Sequence, residues 1–144
     1  MQADESVLSR CLFFSANRLS NILRRKAEKV FQDLGIGVPH VYLLILVHQY
    51  NGITQAELGD KLDIAPSTCT RFVDKLIGQG VLRKEYDWKT AHVFITDKGE
   101  AICQEIDGKL CELRQSCCDL VGEERVDGLT REIWDACEMI SHKV

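Results

Sequence analysis

The chain has 144 residues, 45% of them apolar and 28% charged, with a formal net charge of −4. That is room for one domain, or one small domain with appended elements, and the mix is too apolar for global disorder. The longest unbroken apolar run, Val41 to Val47, falls far short of the ~20 residues that span a bilayer, and the first residues carry the acids Asp4 and Glu5 where a secretory leader carries bases. A soluble, cytoplasmic chain with no membrane partner is expected.

From about Ser6 to Leu34, apolar residues recur at three- and four-residue steps (Leu8, Leu12, Leu19, Ile22, Leu23, Ala27, Val30, Phe31), which predicts a long helix ended by Gly35-Ile36-Gly37. A second helix, about Pro39 to Tyr50, is apolar nearly all round and must be buried; Asn51-Gly52 closes it. Thr54-Gln55-Ala56-Glu57 is a capping box that starts a short helix reaching about Leu62. Asp63-Ile64-Ala65 makes a tight connection. Pro66 then opens a fourth helix, which runs to about Ile77 and stops at Gly78-Gln79-Gly80.

Beyond Gly80 the period changes to two. Val81 to Glu85 and Ala91 to Thr96 read as the strands of a hairpin about the turn Tyr86 to Thr90. A long helix follows from about Gly99 to Val121, with Ile102, Ile106, Leu110, Leu113, Cys117 and Leu120 on one stripe. After Gly122, a last helix from about Glu123 to His142 is expected to turn Val126, Leu129, Ile133, Trp134, Cys137 and Ile140 inward. The small centre cannot cover the stripes of both long arms, so a second copy of the chain is expected to do so.

The seven cysteines (11, 69, 103, 111, 117, 118 and 137) form no C-x-x-C pair, and their odd number argues for free thiols in a reducing compartment, most of them small apolar core residues. Their spacing matches no structural zinc site, so no metal and no cofactor are expected. The four histidines stand near no nucleophile or carboxylate at a recognisable catalytic spacing, and no phosphate-cradling glycine loop is present, so the chain is not expected to be an enzyme.

Charge is uneven along the chain. Residues 100–144 carry five Lys/Arg against eleven Asp/Glu, whereas residues 52–99 carry seven against seven. An anionic partner would therefore meet the middle, where Arg71, Lys75, Arg83, Lys84 and Lys89 cluster. A short capped helix, a tight turn, a second helix and a hairpin make a winged helix-turn-helix, in a mostly α fold with a small β-hairpin wing. On the second helix of that motif, Cys69, Phe72, Val73 and Leu76 form the inward stripe. Ser67, Thr68, Thr70, Arg71, Asp74 and Lys75 take the other side. Hydroxyls and an arginine near a helix N-terminus suit entry into a major groove, although Ser67 and Thr68 could equally serve only to satisfy the helix start.

The run Ser67-Thr68-Cys69-Thr70-Arg71-Phe72-Val73-Asp74-Lys75-Leu76 resembles the multiple-antibiotic-resistance regulator (MarR) family of transcription factors. So do Thr54 to Leu62, Gly80-Val81-Leu82-Arg83 and Thr96-Asp97-Lys98-Gly99. The resemblance implies a homodimer joined through helices in 1–36 and 100–144. These flank a winged DNA-binding region, 37–99, that acts on a pseudo-palindromic operator in duplex DNA, as a repressor released by a small-molecule effector.

The resemblance also places Ser67, Thr68, Thr70 and Arg71 at the DNA, Lys75 near the backbone, and Lys84 and Lys89 in the wing. It puts Asn17, Arg18, His40 and Tyr42 near the region where relatives hold small ligands, although His40 could equally be a helix-start residue and the others ordinary surface or core. Many members have a longer wing with an aspartate and two arginines. The turn here, Asp87-Trp88-Lys89-Thr90, is shorter and holds no arginine, so Lys89 is expected to contact phosphate and Trp88 to pack over the hairpin. Two alternatives remain open: a winged-helix module that binds protein instead of DNA, favoured by the charge balance of 52–99, and a redox-sensing regulator using Cys11.

Overall fold

The computed structural model describes residues 7–142. In chain order these residues form α1 (Leu12–Val30), a 3-10 turn (Gln32–Leu34), α2 (Val38–Gln49), β1 (Ile53–Thr54), α3 (Gln55–Leu62), α4 (Pro66–Gly78), β2 (Leu82–Asp87), β3 (Thr90–Ile95), α5 (Asp97–Val121) and α6 (Glu123–His142). The chain divides into two compact units, one ending at Asp107 and the other beginning at Gly108. No helix among the described residues is long and apolar enough to cross a membrane.

Local chemistry accounts for most boundaries. Thr54 Oγ1 accepts the amide of Glu57 at 3.1 Å and starts α3. Pro39 and Pro66 stand in the first turns of α2 and α4, where a missing N–H costs no helical bond. Asp63, at φ +55°, ends α3 in the left-handed conformation that a short polar side chain tolerates. Thr96 Oγ1 accepts the Gly99 amide at 3.2 Å and begins α5 two residues before the expected Gly99.

The first unit holds the core. Phe31, Leu43, Leu44, Leu58, Leu76, Leu82, Val93 and Ile106 are each at most 2% exposed, and burial of each such side chain contributes about 1.5–3 kcal/mol. A glycine is required where α5 leaves the sheet. A Cβ on Gly99 would fall against the Val81 carbonyl oxygen and within 2.6 Å of Ile95 Cγ1, so the close approach of helix to strands depends on its absence.

Several expectations are revised. The sheet has three antiparallel strands in the order β1-β3-β2, not two: Ile53 pairs with Val93 and Thr54 with His92. Two residues are too few for a visible alternation, so β1 has no sequence signature. The β2–β3 ladder runs on to Asp87 opposite Thr90, leaving a turn of only Trp88 and Lys89.

The first helix does not run unbroken. Its expected start at Ser6 lies outside the described residues, and α1 begins after Cys11, whose Sγ accepts the Phe14 amide at 3.5 Å. Cys11 is therefore an exposed helix cap, not a core residue. Of the seven cysteines only Cys69 and Cys103 are buried.

In the second unit, α6 does not bury its apolar stripe within the chain. Leu129, Ile133, Trp134 and Ile140 are all exposed, with Trp134 at 67%. Arg114 holds the start of this helix, reaching Asp127 at 2.7 Å and Glu123 at 3.5 Å. These two carboxylates, Asp127 first, raise its already high pKa.

Candidate nucleic-acid interface

Helix α4 is two-faced. Cys69, Val73 and Leu76 are fully buried, and burial pushes the Cys69 thiol up in pKa. Phe72, expected on the same stripe, is only half-buried. It sits at the edge of that stripe and touches the ring of His40 edge-on at 4.8 Å, while the Arg71 guanidinium lies 5.5 Å from its ring centre. His40, in the first turn of α2, is 6% exposed and neither ring nitrogen has a hydrogen-bond partner. Burial, and then the charge of Lys75, lower its pKa.

The start of α4 is open. Its N-cap is Ala65, which has no side chain able to cap, so Ser67 and Thr68 are not engaged in closing the helix end. Ser67, Arg71 and Lys75 are exposed, and Thr68 is half-buried. Free amides and the positive end of the helix dipole are thus presented together with the Ser67 hydroxyl, with Arg71 one turn further on and Lys75 in the last turn.

Two of the expected contact residues are engaged inside the protein. Thr70 Oγ1 donates to the Pro66 carbonyl at 3.0 Å and accepts from Gln55 Nε2 at 2.6 Å, which ties α4 to the first residue of α3. The Cys69 thiol adds a bond to the Gln55 carbonyl at 3.5 Å. Lys84 Nζ reaches Asp74 Oδ1 at 3.1 Å, and its side chain is only 12% exposed. The pair links the wing strand β2 to α4.

Neither pairing had a sequence signal. Residues 55 and 70, like 74 and 84, belong to different elements and meet only through the tertiary fold. His40 was likewise legible as a helix-start residue but not as a buried ring.

Within 52–99, two ion pairs take up two of the seven cations and two of the seven acids and leave five of each. Asp74 is consumed by Lys84, and Glu85 by Arg83. Among the described residues, Arg71, Lys75 and Lys89 have no ion-pair partner. Lys89 lies in the wing turn, and with Thr90 and Ala91 it lines a groove of ≈ 360 Å³ whose other walls are Thr54, Gln55, Ala56 and Pro66. The wing turn and the start of α4 thus border one surface depression.

Of the small-ligand candidates, Asn17 and Arg18 on α1 are exposed, Tyr42 is 43% exposed and His40 is buried. Partial burial raises the Tyr42 pKa.

A capped helix, a left-handed turn, a second helix with one buried and one polar face, and a three-stranded wing define a winged helix-turn-helix protein. Residues 38–87 match the model of the MarR family.

A curated relative, an uncharacterized HTH-type transcriptional regulator of Bacillus cereus, is 21% identical over 126 residues, covering 88% of this chain and 86% of its own. A MarR transcriptional regulator from Methanosarcina mazei superposes with a TM-score of 0.78 at 21% identity, over 90% of this chain and 89% of that one. The transcriptional repressor CouR has been solved on a 23-mer DNA duplex and with p-coumaroyl-CoA. Both structures give a TM-score of 0.83 at 18% identity, over 90% of this chain and 94% of theirs.

Proposed function

We propose that this protein is a DNA-binding repressor that acts as a homodimer on a pseudo-palindromic operator. The observation that carries the reading is the outer face of α4: an uncapped N-terminus, exposed Ser67, and Arg71 and Lys75 with no ion-pair partner. Lys89, in the wing turn, lines the depression that reaches Pro66 at the start of α4. Arg71 is one turn beyond Ser67, where a guanidinium can fork onto a guanine edge. Ser67 and Thr68 donate to phosphate or base edges, and Lys75 and Lys89 neutralise phosphates. Thr70 and Lys84 act behind this surface, one fixing the angle of α3 and α4 and the other bracing the wing.

The proposed division of labour is dimerisation by the helices within 1–36 and 100–144 and DNA reading by 37–99. Its support is the apolar surface each copy leaves open on α1 (Leu12 71% and Phe13 77% exposed) and on α6. Apolar exposure of this kind on a helix marks an interaction surface. Release by a small effector is carried over from the likeness to CouR, solved with p-coumaroyl-CoA.

Arg71→Ala tests the DNA reading. Its exposed side chain supports little of the fold, so stability should change by no more than about 0.5 kcal/mol. Fluorescence anisotropy with a selected duplex should lose roughly 1–3 kcal/mol per half-site and relax specificity at one position if Arg71 reads a base. A wild-type protein that binds no duplex at low salt would favour the protein-binding module.

A redox role draws support from the exposure of Cys11 at a helix start. Cys103 is a poor alternative, because burial and then Glu100 and Asp107 push its thiol up to about 11. Peroxide should release DNA from wild type but not from Cys11→Ser. A complex indifferent to peroxide removes the idea.

A further inference from the structure

His40, in the first turn of α2, is the only polar side chain in the buried core of the described residues. A buried imidazole ordinarily satisfies its nitrogens, yet neither nitrogen has a partner here. Its surroundings suit the neutral ring alone. Gly37 closes one side: a Cβ there would come within 3.3 Å of the His40 Nδ1. Phe72 of α4 meets the ring nearly perpendicular, with 76° between the planes and 4.8 Å between the centres.

Protonation would add a second N–H to a site that offers no acceptor for the first. Positive charge is also close on every side. The positive end of the α2 dipole lies in the same turn. From α4, Lys75 acts on the ring through its charge, and Arg71 shares Phe72 with it, its guanidinium 5.5 Å from that ring's centre. No carboxylate among the described residues forms an ion pair with His40. A charged imidazole is therefore stable only in water, outside this contact.

Phe72 carries the consequence to the surface. Half-buried, it touches the buried ring of His40 and holds the exposed Arg71 guanidinium at cation–π distance. Without His40 beside it, the phenyl ring can move, and Arg71 loses its fixed platform.

We infer that His40 is a proton-sensitive positioning residue for Arg71: neutral, it holds Phe72 and Arg71 in the arrangement that reads DNA, and protonated, it leaves, so operator binding weakens on acidification. The inference rests on the DNA-binding reading above. Its sign is opposite to the general one, because acid ordinarily strengthens binding to a polyanion as other histidines gain charge.

The test uses the full chain and a duplex recovered by wild-type selection at pH 8 from random-sequence DNA. Anisotropy is read from pH 8 to 5.5 at constant ionic strength. At the pH where half the rings are charged, a dimer that needs both half-sites should bind about fourfold more weakly. His40→Phe keeps an aromatic ring against Phe72 with no proton to gain, so its affinity should not fall on acidification. Arg71→Ala, weaker at pH 8, should lose most of the pH dependence, because the group that His40 positions is gone. A purely structural histidine would leave that slope intact. His48→Gln removes a half-exposed ring 2.9 Å from Glu100 and should keep the wild-type slope.

Wild-type affinity that stays level or rises towards pH 5.5, with Arg71→Ala impaired at pH 8, overturns the inference and leaves the DNA reading standing. An equal acid slope in Arg71→Ala, or a slope abolished by His48→Gln, overturns it too, as does helix content lost in step with affinity by circular dichroism. If wild type selects no duplex at pH 8, the inference falls together with the reading beneath it.

Discussion

The winged centre and the C-terminal helix α6 are built from similar proportions of apolar residues and use them in opposite ways. In the centre, Leu43, Leu44, Leu58, Val73 and Val93 are completely buried by residues of the same chain. On α6, Leu129, Ile133, Trp134, Met139 and Ile140 are all about half or more exposed. Periodicity marks the apolar face equally well in both. What differs is whether the chain itself supplies a surface to cover that face. The centre is self-sufficient, while the stripe on α6 is stable in water only at the expense of solvated apolar area, which a second copy would remove.

The contrast can be broken by substitution. Leu43→Ala should show the largest effect, destabilising the centre by about 2–5 kcal/mol through lost transfer energy and a residual cavity. Urea unfolding should show that loss at every protein concentration. Ile133→Asp should leave the centre's unfolding nearly unchanged but weaken self-association by about 2 kcal/mol or more, the scale of a central interface residue. Sedimentation across a dilution series reads it directly, and an undisturbed dimer would show that this stripe is not the interface.

Gly99→Ala sharpens where the centre ends. The new Cβ meets the Val81 carbonyl, a backbone atom that cannot swing aside, so about 1–3 kcal/mol of overpacking strain is expected in thermal melts. An unaffected melt would mean that the first turn of α5 is not packed on the sheet.

The smallest effect is a pH slope. His40 titrates below its unfolded value of about 6.5, so in the window between the two pKa values the unfolded chain binds a proton that the folded chain refuses. Stability should therefore be intact above about pH 7 and decline as pH falls through 6.5 towards the lower folded value. His40→Phe should flatten that part of the profile relative to wild type, and equal slopes would show that the ring is not held neutral.

Much of the winged centre was legible from residues alone, because its signals are local. Thr54 caps α3, Pro66 opens α4, Gly122 separates two helices at φ +91°, and the spacing of Cys69, Val73 and Leu76 marks the buried side of α4. Each depends on atoms within a few residues of one another. The same locality made Ser67, Thr68, Thr70, Arg71 and Lys75 candidates as a group.

Tertiary structure decided which members of that group are available. The hydroxyl of Thr70 is taken by Gln55, fifteen residues away, and the ammonium of Lys84 by Asp74, while Arg71, Lys75 and Lys89 have no ion-pair partner among the described residues. Register placed Trp88 at the turn and turned it outward; composition suggested the reverse. The physical reason is common to all three. Sequence fixes the chemical capacity of a side chain and its direction along its own helix or strand, but a hydrogen bond or ion pair is satisfied by whichever group arrives from another element, and that is set only when the elements pack.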